Sequence, residues 1–198
     1  MKLFYSPASP YVRKVMMMAL ETGQKVEKLS QSGSPVNRDL AIVEHNPTGK
    51  VPTVILDSGE TLYDSRVITR WMDEQHDGTP MYPDAPRLWT VLRREALADG
   101  LLDAALLARY ETVMRPQDKL WPAWLEGQML KIDASLDQLE TEVESFVDID
   151  AGLIAIGCAL GYLDFRFSDL GWRDARPALD TWFKTFSMRN SMIETKPS

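Results

Sequence analysis

The residues whose types and spacing suit chemistry lie in one stretch, Asn46 to Arg70, NPTGKVPTVILDSGETLYDSRVITR. Pro52 stands directly before an apolar run, and with no N–H to give a ladder it belongs at a strand's first position or on an edge. X-Pro is the one peptide bond that adopts cis at low cost. A cis Val51-Pro52 bond would turn the Val51 N–H and C=O outward, where they could pair with an extended ligand lying alongside. Further on, Asp64-Ser65 opens the amphipathic run Val67, Ile68, Trp71, Met72, Gln75. Both are N-cap types, and a helix N-terminus offers unpaired N–H groups and partial positive charge to a carboxylate. Lys50 supplies a second anchor for an anion. Taken singly, Asp64 is a cap, Lys50 a solvated charge and Pro52 a strand opener. Their order along the chain is what makes a ledge with an anion site at each end.

The elements that must hold this stretch read off in sequence. Lys2 to Tyr5 is a short apolar strand running into Ser6-Pro7-Ala8-Ser9-Pro10, after which Val12, Val15, Met16, Ala19 and Leu20 recur at helical spacing. Ser9 is a natural N-cap and Pro10 a natural first helical residue. Val26 to Leu29 reads as a second strand and Ser34 to Glu44 as a short, weakly periodic helix or turn. The central stretch adds two strands joined by a tight Ser58-Gly59 turn, then a helix to about His76. Asp77 to Pro86, with three prolines and a glycine, separates this mixed part from a second part without a convincing strand. The expected division is a first domain over 1–78, a linker over 79–86 and an all-helical domain over 87–198. In that last part Arg87 to about Met114 is one long helix, stopped at Pro116. Leu125, Met129, Ile132, Leu136, Leu139 and Val143 mark the inner face of another. Ala151 to Phe167 is apolar nearly all round, as a helix at the centre of a bundle should be, and Pro177 to Phe186 adds one more.

In this order the residues resemble the glutathione transferase family, in its bacterial cytosolic form. Asn46-Pro47-Thr48-Gly49-Lys50-Val51-Pro52 is similar to the family's loop leading to its cis-proline, and Asp64-Ser65 stands where the family carries Glu-Ser or Asp-Ser. The run Ile154 to Arg166 resembles the core helix of the family's second domain. The resemblance implies an α/β N-terminal thioredoxin-like domain followed by an all-α helical-bundle domain, with glutathione as co-substrate. It implies that Val51, beside Pro52, pairs with the cysteinyl backbone of glutathione, that Asp64 and Ser65 hold the γ-glutamyl end, and that Lys50 reaches the glycyl carboxylate. One departure concerns the core helix, which the family usually opens with a Ser/Thr-x-x-Asp box. Here Asp150 takes the first position and Leu153 the last. Leu153 cannot bond back to the cap residue's N–H, and loss of a capping group costs about 0.5–2 kcal/mol.

A thiol with an ordinary pKa of about 8.5 is only roughly 3% thiolate at neutral pH, and the thiolate is the nucleophile. Activation needs a donor aimed at sulfur. Ser9, at the start of the first helix, is the candidate: Ser9-Pro10-Tyr11-Val12 resembles the Cys-Pro-Tyr-Cys of glutaredoxins with both sulfurs removed. A serine there can hydrogen-bond a bound thiolate but cannot form a mixed disulfide, so the implied reaction is attack on an electrophilic carbon or a peroxide. Ser6 and Tyr5 are rivals for the donor, and Ser9 as a mere cap and Tyr5 as a core aromatic are the plainer alternatives. The second substrate is expected between the two domains, where pockets combine apolar walls with a few polar groups. Leu106, Arg109, Tyr110, Met114 and Trp121 are its candidate lining, each also explicable as packing or surface.

With 44% apolar and 26% charged residues the composition is that of a globular protein, and a formal charge of −7 without a basic stripe disfavours nucleic acid. The opening MKLFYSPASP lacks a signal-peptide core, and the longest apolar run, Leu153 to Leu163, is too short to span a bilayer. A cytoplasmic protein without membrane contact is expected. Cys158 is the one cysteine, which excludes an intrachain disulfide and a cysteine-based metal site; in its apolar helical run a buried, inert thiol is expected. His45 and His76 stand apart without ligand spacing, so no metal is expected. The resemblance further implies a two-fold homodimer, with Arg66, Trp71, Arg93, Arg94, Asp99 and Asp103 as candidate interface groups, although such charges also suit a solvated face. Two functions are carried forward. One is a glutathione-dependent transferase acting on a small electrophile or peroxide, a detoxification chemistry; the other is a transferase-fold protein that has lost catalysis and serves as a binding or regulatory partner. The presence of Lys50, Val51, Pro52, Asp64 and Ser65 favours the first.

Overall fold

Strand β1 (Lys2–Tyr5) leads through α1 (Pro10–Glu21) into β2 (Glu27–Ser30), in a computed structural model that describes residues 1–31 and 33–198. After α2 (Leu40–His45) come β3 (Thr53–Ile55), β4 (Thr61–Leu62) and α3 (Ser65–Asp73). The sheet order is β2-β1-β3-β4. β1 runs parallel to β2, with Lys2 opposite Glu27, and antiparallel to β3, with Leu3 opposite Val54. Successive side chains of a strand point to opposite faces, and Leu3 and Phe4 are both buried, so the sheet is covered on both sides. This is the thioredoxin-like arrangement. Its cover includes Val12, Val15, Met17 and Met18 of α1 and Ile68 and Met72 of α3, all buried, and the two helices pack on each other.

The chain divides into two compact units, one formed by Met1–Pro83 with Asn190–Ser198 and the other by Asp84–Arg189. The break at Pro83 falls within the segment expected to link them. Residues 190–198, by contrast, were expected with the helical part, and they group with the first unit. Helix α8 (Asn190–Glu194) packs on α1. Arg13, buried on α1, donates from Nη2 to the Met192 carbonyl at 2.9 Å and from Nε to Thr195 Oγ1 at 3.3 Å, while Ser191 Oγ donates to the Glu21 carboxylate. The segment is short and aperiodic, and its anchor lies on a helix remote in sequence.

The second unit is helical: α4 (Arg87–Val113), α5 (Pro122–Glu142), α6 (Ala151–Arg166) and α7 (Pro177–Phe186). Every residue from Ala151 to Leu163 is buried, which places α6 at the centre. Small residues let its neighbours close in. A Cβ on Gly152 would lie 2.8 Å from both the Arg94 Cβ and the Val91 carbonyl oxygen, and one on Gly157 would overlap the Phe186 ring. Asp150 makes the first half of the cap, accepting the Leu153 N–H at 2.9 Å. Burial pushes its carboxyl up, opposed by the cap bond and by the Arg94 and Arg87 charges, and its second oxygen has no hydrogen bond. Helix α7 is tied to α5 by the Glu140 carboxylate, which accepts the Ala178 and Leu179 N–H groups at 3.1 and 2.7 Å, and by Arg176 bound to Asp133 and Asp137.

Two groups named for an interface are not on a surface. Arg94 and Asp99 are buried in the helical unit, and Arg94 donates to the Ser145 carbonyl and hydroxyl. Arg93 is exposed but turned to its own chain, with two 2.7 Å bonds to Glu142. Among the described residues no helix is long and apolar enough to cross a membrane.

Candidate functional site

The loop before β3 is built around the buried amide of Asn46. Its Nδ2 donates to the Lys50 carbonyl at 3.2 Å and to Thr53 Oγ1 at 2.9 Å, and its Oδ1 accepts the Thr48 N–H at 3.0 Å and hydroxyl at 2.8 Å. Gly49 closes the turn at φ +66°, a conformation that a side chain would resist. The Val51-Pro52 peptide is cis, as the sequence suggested, and Pro52 is buried. Among the described residues no hydrogen bond engages the Val51 N–H or C=O. The backbone there is a ledge with both its donor and its acceptor unpaired.

At one end of the ledge Asp64 caps α3, its Oδ1 accepting the Arg66 N–H at 3.0 Å, and its side chain is exposed. The Tyr63-Asp64 peptide is also cis. Ser65 is buried at the first turn, and no hydrogen bond engages its N–H or hydroxyl among the described residues. This is the positive end of the α3 dipole, suited to a carboxylate. Lys50 is exposed and faces no carboxylate among the described residues.

Ser9 caps α1, its Oγ accepting the Val12 N–H at 3.3 Å while its own N–H donates to the Ser6 carbonyl at 3.1 Å. A hydroxyl that accepts one bond still has its proton to give. The rivals sit alongside: Ser6 is half-buried in the turn, and Tyr5, at the end of β1, has the Lys28 ammonium 4.5 Å from its ring centroid. All these groups belong to the first unit.

Sequence reasoning gave Asn46 and Thr53 no role, although they fix the loop; the Asn-Pro-Thr-Gly turn signal could have pointed to the first. Asp73 was also missed. Its carboxylate accepts the Met81 and Tyr82 N–H groups at 2.7 and 2.9 Å and pairs with His76, pinning the chain after α3. Among the described residues no group of His, Cys, Asp and Glu could hold a metal ion.

The residues proposed for the second substrate are split within the helical unit. Leu106, Arg109 and Tyr110 are half-buried along α4 and Met114 sits at its C-cap. Trp121 instead lines a cavity of about 280 Å³ with Trp124, Glu111, Arg115 and Lys119, and the two indoles stack with centroids 6.3 Å apart. Glu111 is held below the usual carboxylate range by the Trp121 N–H and the Arg115 guanidinium. Burial pushes the Tyr110 and Tyr162 phenols up, with the Arg109 charge opposing it at both.

Residues 3–80 match the family model for the glutathione S-transferase N-terminal domain. Along its whole length the chain is 36% identical to a relative from Escherichia coli K12, described as the uncharacterized GST-like protein YibF, and covers 98% of it. A glutathione transferase family member from Pseudomonas fluorescens Pf-5, solved with bound glutathione, superposes with a TM-score of 0.96 at 46% identity, over 100% of this chain and 98% of that one. A second structure from that organism, with bound S-(propanoic acid)-glutathione, gives 0.93 at 45% identity over the whole of both chains. The chain belongs to the glutathione S-transferase family.

Proposed function

We propose that this protein is a glutathione-dependent transferase in which Ser9 donates a hydrogen bond to the glutathione sulfur and holds it as thiolate. The observation that carries this reading is the Ser9 hydroxyl at the N-terminus of α1, with its proton unspent. Stabilising the anionic sulfur there, beside the positive end of a helix, lowers the thiol pKa and raises the fraction of nucleophile. The thiolate attacks an electrophilic carbon: a C–S bond forms, the leaving group departs with its bonding pair, and the thiol proton goes to solvent. A peroxide is the alternative acceptor.

Binding is assigned to the ledge. Val51 pairs with the cysteinyl backbone, Pro52 shapes the strand entry, Asp64 and Ser65 hold the γ-glutamyl end, and Lys50 reaches the glycyl carboxylate. The bound glutathione in the Pseudomonas relative supports this, and the S-substituted glutathione in the second structure supports sulfur as the reacting atom. Family membership also supports a cytoplasmic homodimer. Calorimetric titration with reduced glutathione, repeated on Asp64→Ala, tests the site. Binding that is lost in the variant is expected, whereas no binding to the unaltered protein would favour a non-catalytic binding partner.

A further inference from the structure

The turn from α4 to α5 leaves two large side chains uncovered. Trp121 and Trp124 are 63% and 40% exposed, in a run Trp121-Pro122-Ala123-Trp124 that faces solvent throughout. Single apolar side chains on a surface are ordinary, but two neighbouring indoles, stacked with centroids 6.3 Å apart, make a patch of the kind that partners cover. The cavity of about 280 Å³ that they line is completed by Arg115, Lys119 and Glu111. All five side chains belong to the helical unit, and none is assigned to glutathione. Glu111 is buried and its charge is spent within the wall: Oε1 accepts the Trp121 N–H at 2.8 Å and Oε2 the Arg115 Nε–H at 2.7 Å. Among the described residues no hydrogen bond engages the two Nη groups of Arg115, and the exposed Lys119 faces no carboxylate.

Trp and Arg are enriched where binding energy concentrates in protein interfaces, and an indole supplies apolar area at little cost in conformational entropy. The unspent edge of the Arg115 guanidinium matches a carboxylate in shape and charge. The fitting occupant therefore carries an apolar side chain and a carboxylate together. Its size is set by the cavity, which falls just below the range of about 300–1,000 Å³ that takes drug-sized molecules and suits a single amino-acid residue. The last residue of a peptide chain holds both groups on one Cα, whereas an internal Asp or Glu must borrow its apolar partner from a neighbour. We propose that this cavity docks the C-terminus of a partner polypeptide ending in a bulky apolar residue, its side chain against the Trp121 and Trp124 indoles and its terminal carboxylate on Arg115 and Lys119. In a chain of net charge −7 that pair of cations also gives an approaching carboxylate a local attraction.

The test follows the indole N–H signals of the whole protein, labelled with nitrogen-15, during titration with acetyl-Gly-Gly-Phe as the free acid. Trp121→Phe and Trp124→Phe assign the two signals that matter among those of the six tryptophans. These two are expected to shift and saturate while the rest stay still. The matching C-terminal amide, and acetyl-Gly-Gly-Gly as the free acid, should each need about ten times the concentration to reach half-saturation, the first for want of the charge-assisted bond and the second for want of the ring. Lys119→Gln, at an exposed residue, should narrow the difference between acid and amide. Trp124→Ala should weaken the acid at least as much as removal of its ring does, read at the Trp121 signal, with circular dichroism checking the fold. No shift with the acid, equal binding of the amide, or an acid preference unmoved by Lys119→Gln would each overturn the proposal. Equal binding of acetyl-Gly-Asp-Phe-Gly amide would overturn it in favour of an internal acidic segment, and shifts that grow with protein concentration in the absence of peptide would give the patch to a second copy of the chain.

Discussion

Ser9 and Asp64 each combine two tasks in one side chain, and substitutions can separate them. Asp64 caps α3 and is assigned to the γ-glutamyl end of glutathione. Asp64→Asn keeps a good cap but removes the charge, so glutathione affinity should fall about tenfold with stability nearly unchanged. Asp64→Ala should lose the affinity and also about 1 kcal/mol of stability. Calorimetry and urea unfolding read the two effects separately. At the other helix, Ser9→Gly removes the hydroxyl at a stability cost of only about a few tenths of a kcal/mol. The pKa of bound glutathione, followed by thiolate absorbance against pH, should then rise; an unmoved curve would reduce Ser9 to a cap. Both caps were legible in the sequence because a cap reaches only two or three residues along the chain. Asn46 was not, since its partners Lys50 and Thr53 are brought to it by the turn that it helps to make.

Among the elements, the ties between helices set how stability responds to pH. The Arg93 hydrogen bonds hold the Glu142 carboxyl below its ordinary value, with burial opposing. A depressed carboxylate contributes stability above its unfolded pKa of about 4.3 and loses that contribution as pH falls through the lower folded value. Glu142→Gln should therefore cost about 0.5–1 kcal/mol at neutral pH, since Arg93 is half-exposed, and the gap to the unaltered protein should close in acid. Urea midpoints for the two proteins across that range measure it. Gly152→Ala addresses the centre of the bundle. The added methyl meets Arg94 and the Val91 backbone at 2.8 Å, and a loss of about 1–3 kcal/mol is expected in thermal unfolding. The helices themselves were readable from their apolar period. The closeness of α4 to α6 was not, because glycine in a helical run signals weakness as readily as contact.

For the molecule as a whole, sedimentation equilibrium should give twice the 22.5 kDa of one chain if the proposed homodimer forms. The burial of Arg94 and Asp99 removes them from any such contact and leaves Arg66, Trp71 and Asp103 as the testable groups. The return of residues 190–198 to α1 also bears on how the protein is made. A ribosome adds roughly 5–20 residues per second, so the wait between Pro83 and Asn190 is on the order of ten seconds. Through that interval the guanidinium of Arg13 stands in water with its final partners unsynthesised, and the helical unit emerges as an insert between two pieces of one body. A nascent chain arrested before Asn190 is thus unfinished at its beginning as well as at its end, and proteases surveying new chains would find the opening at α1.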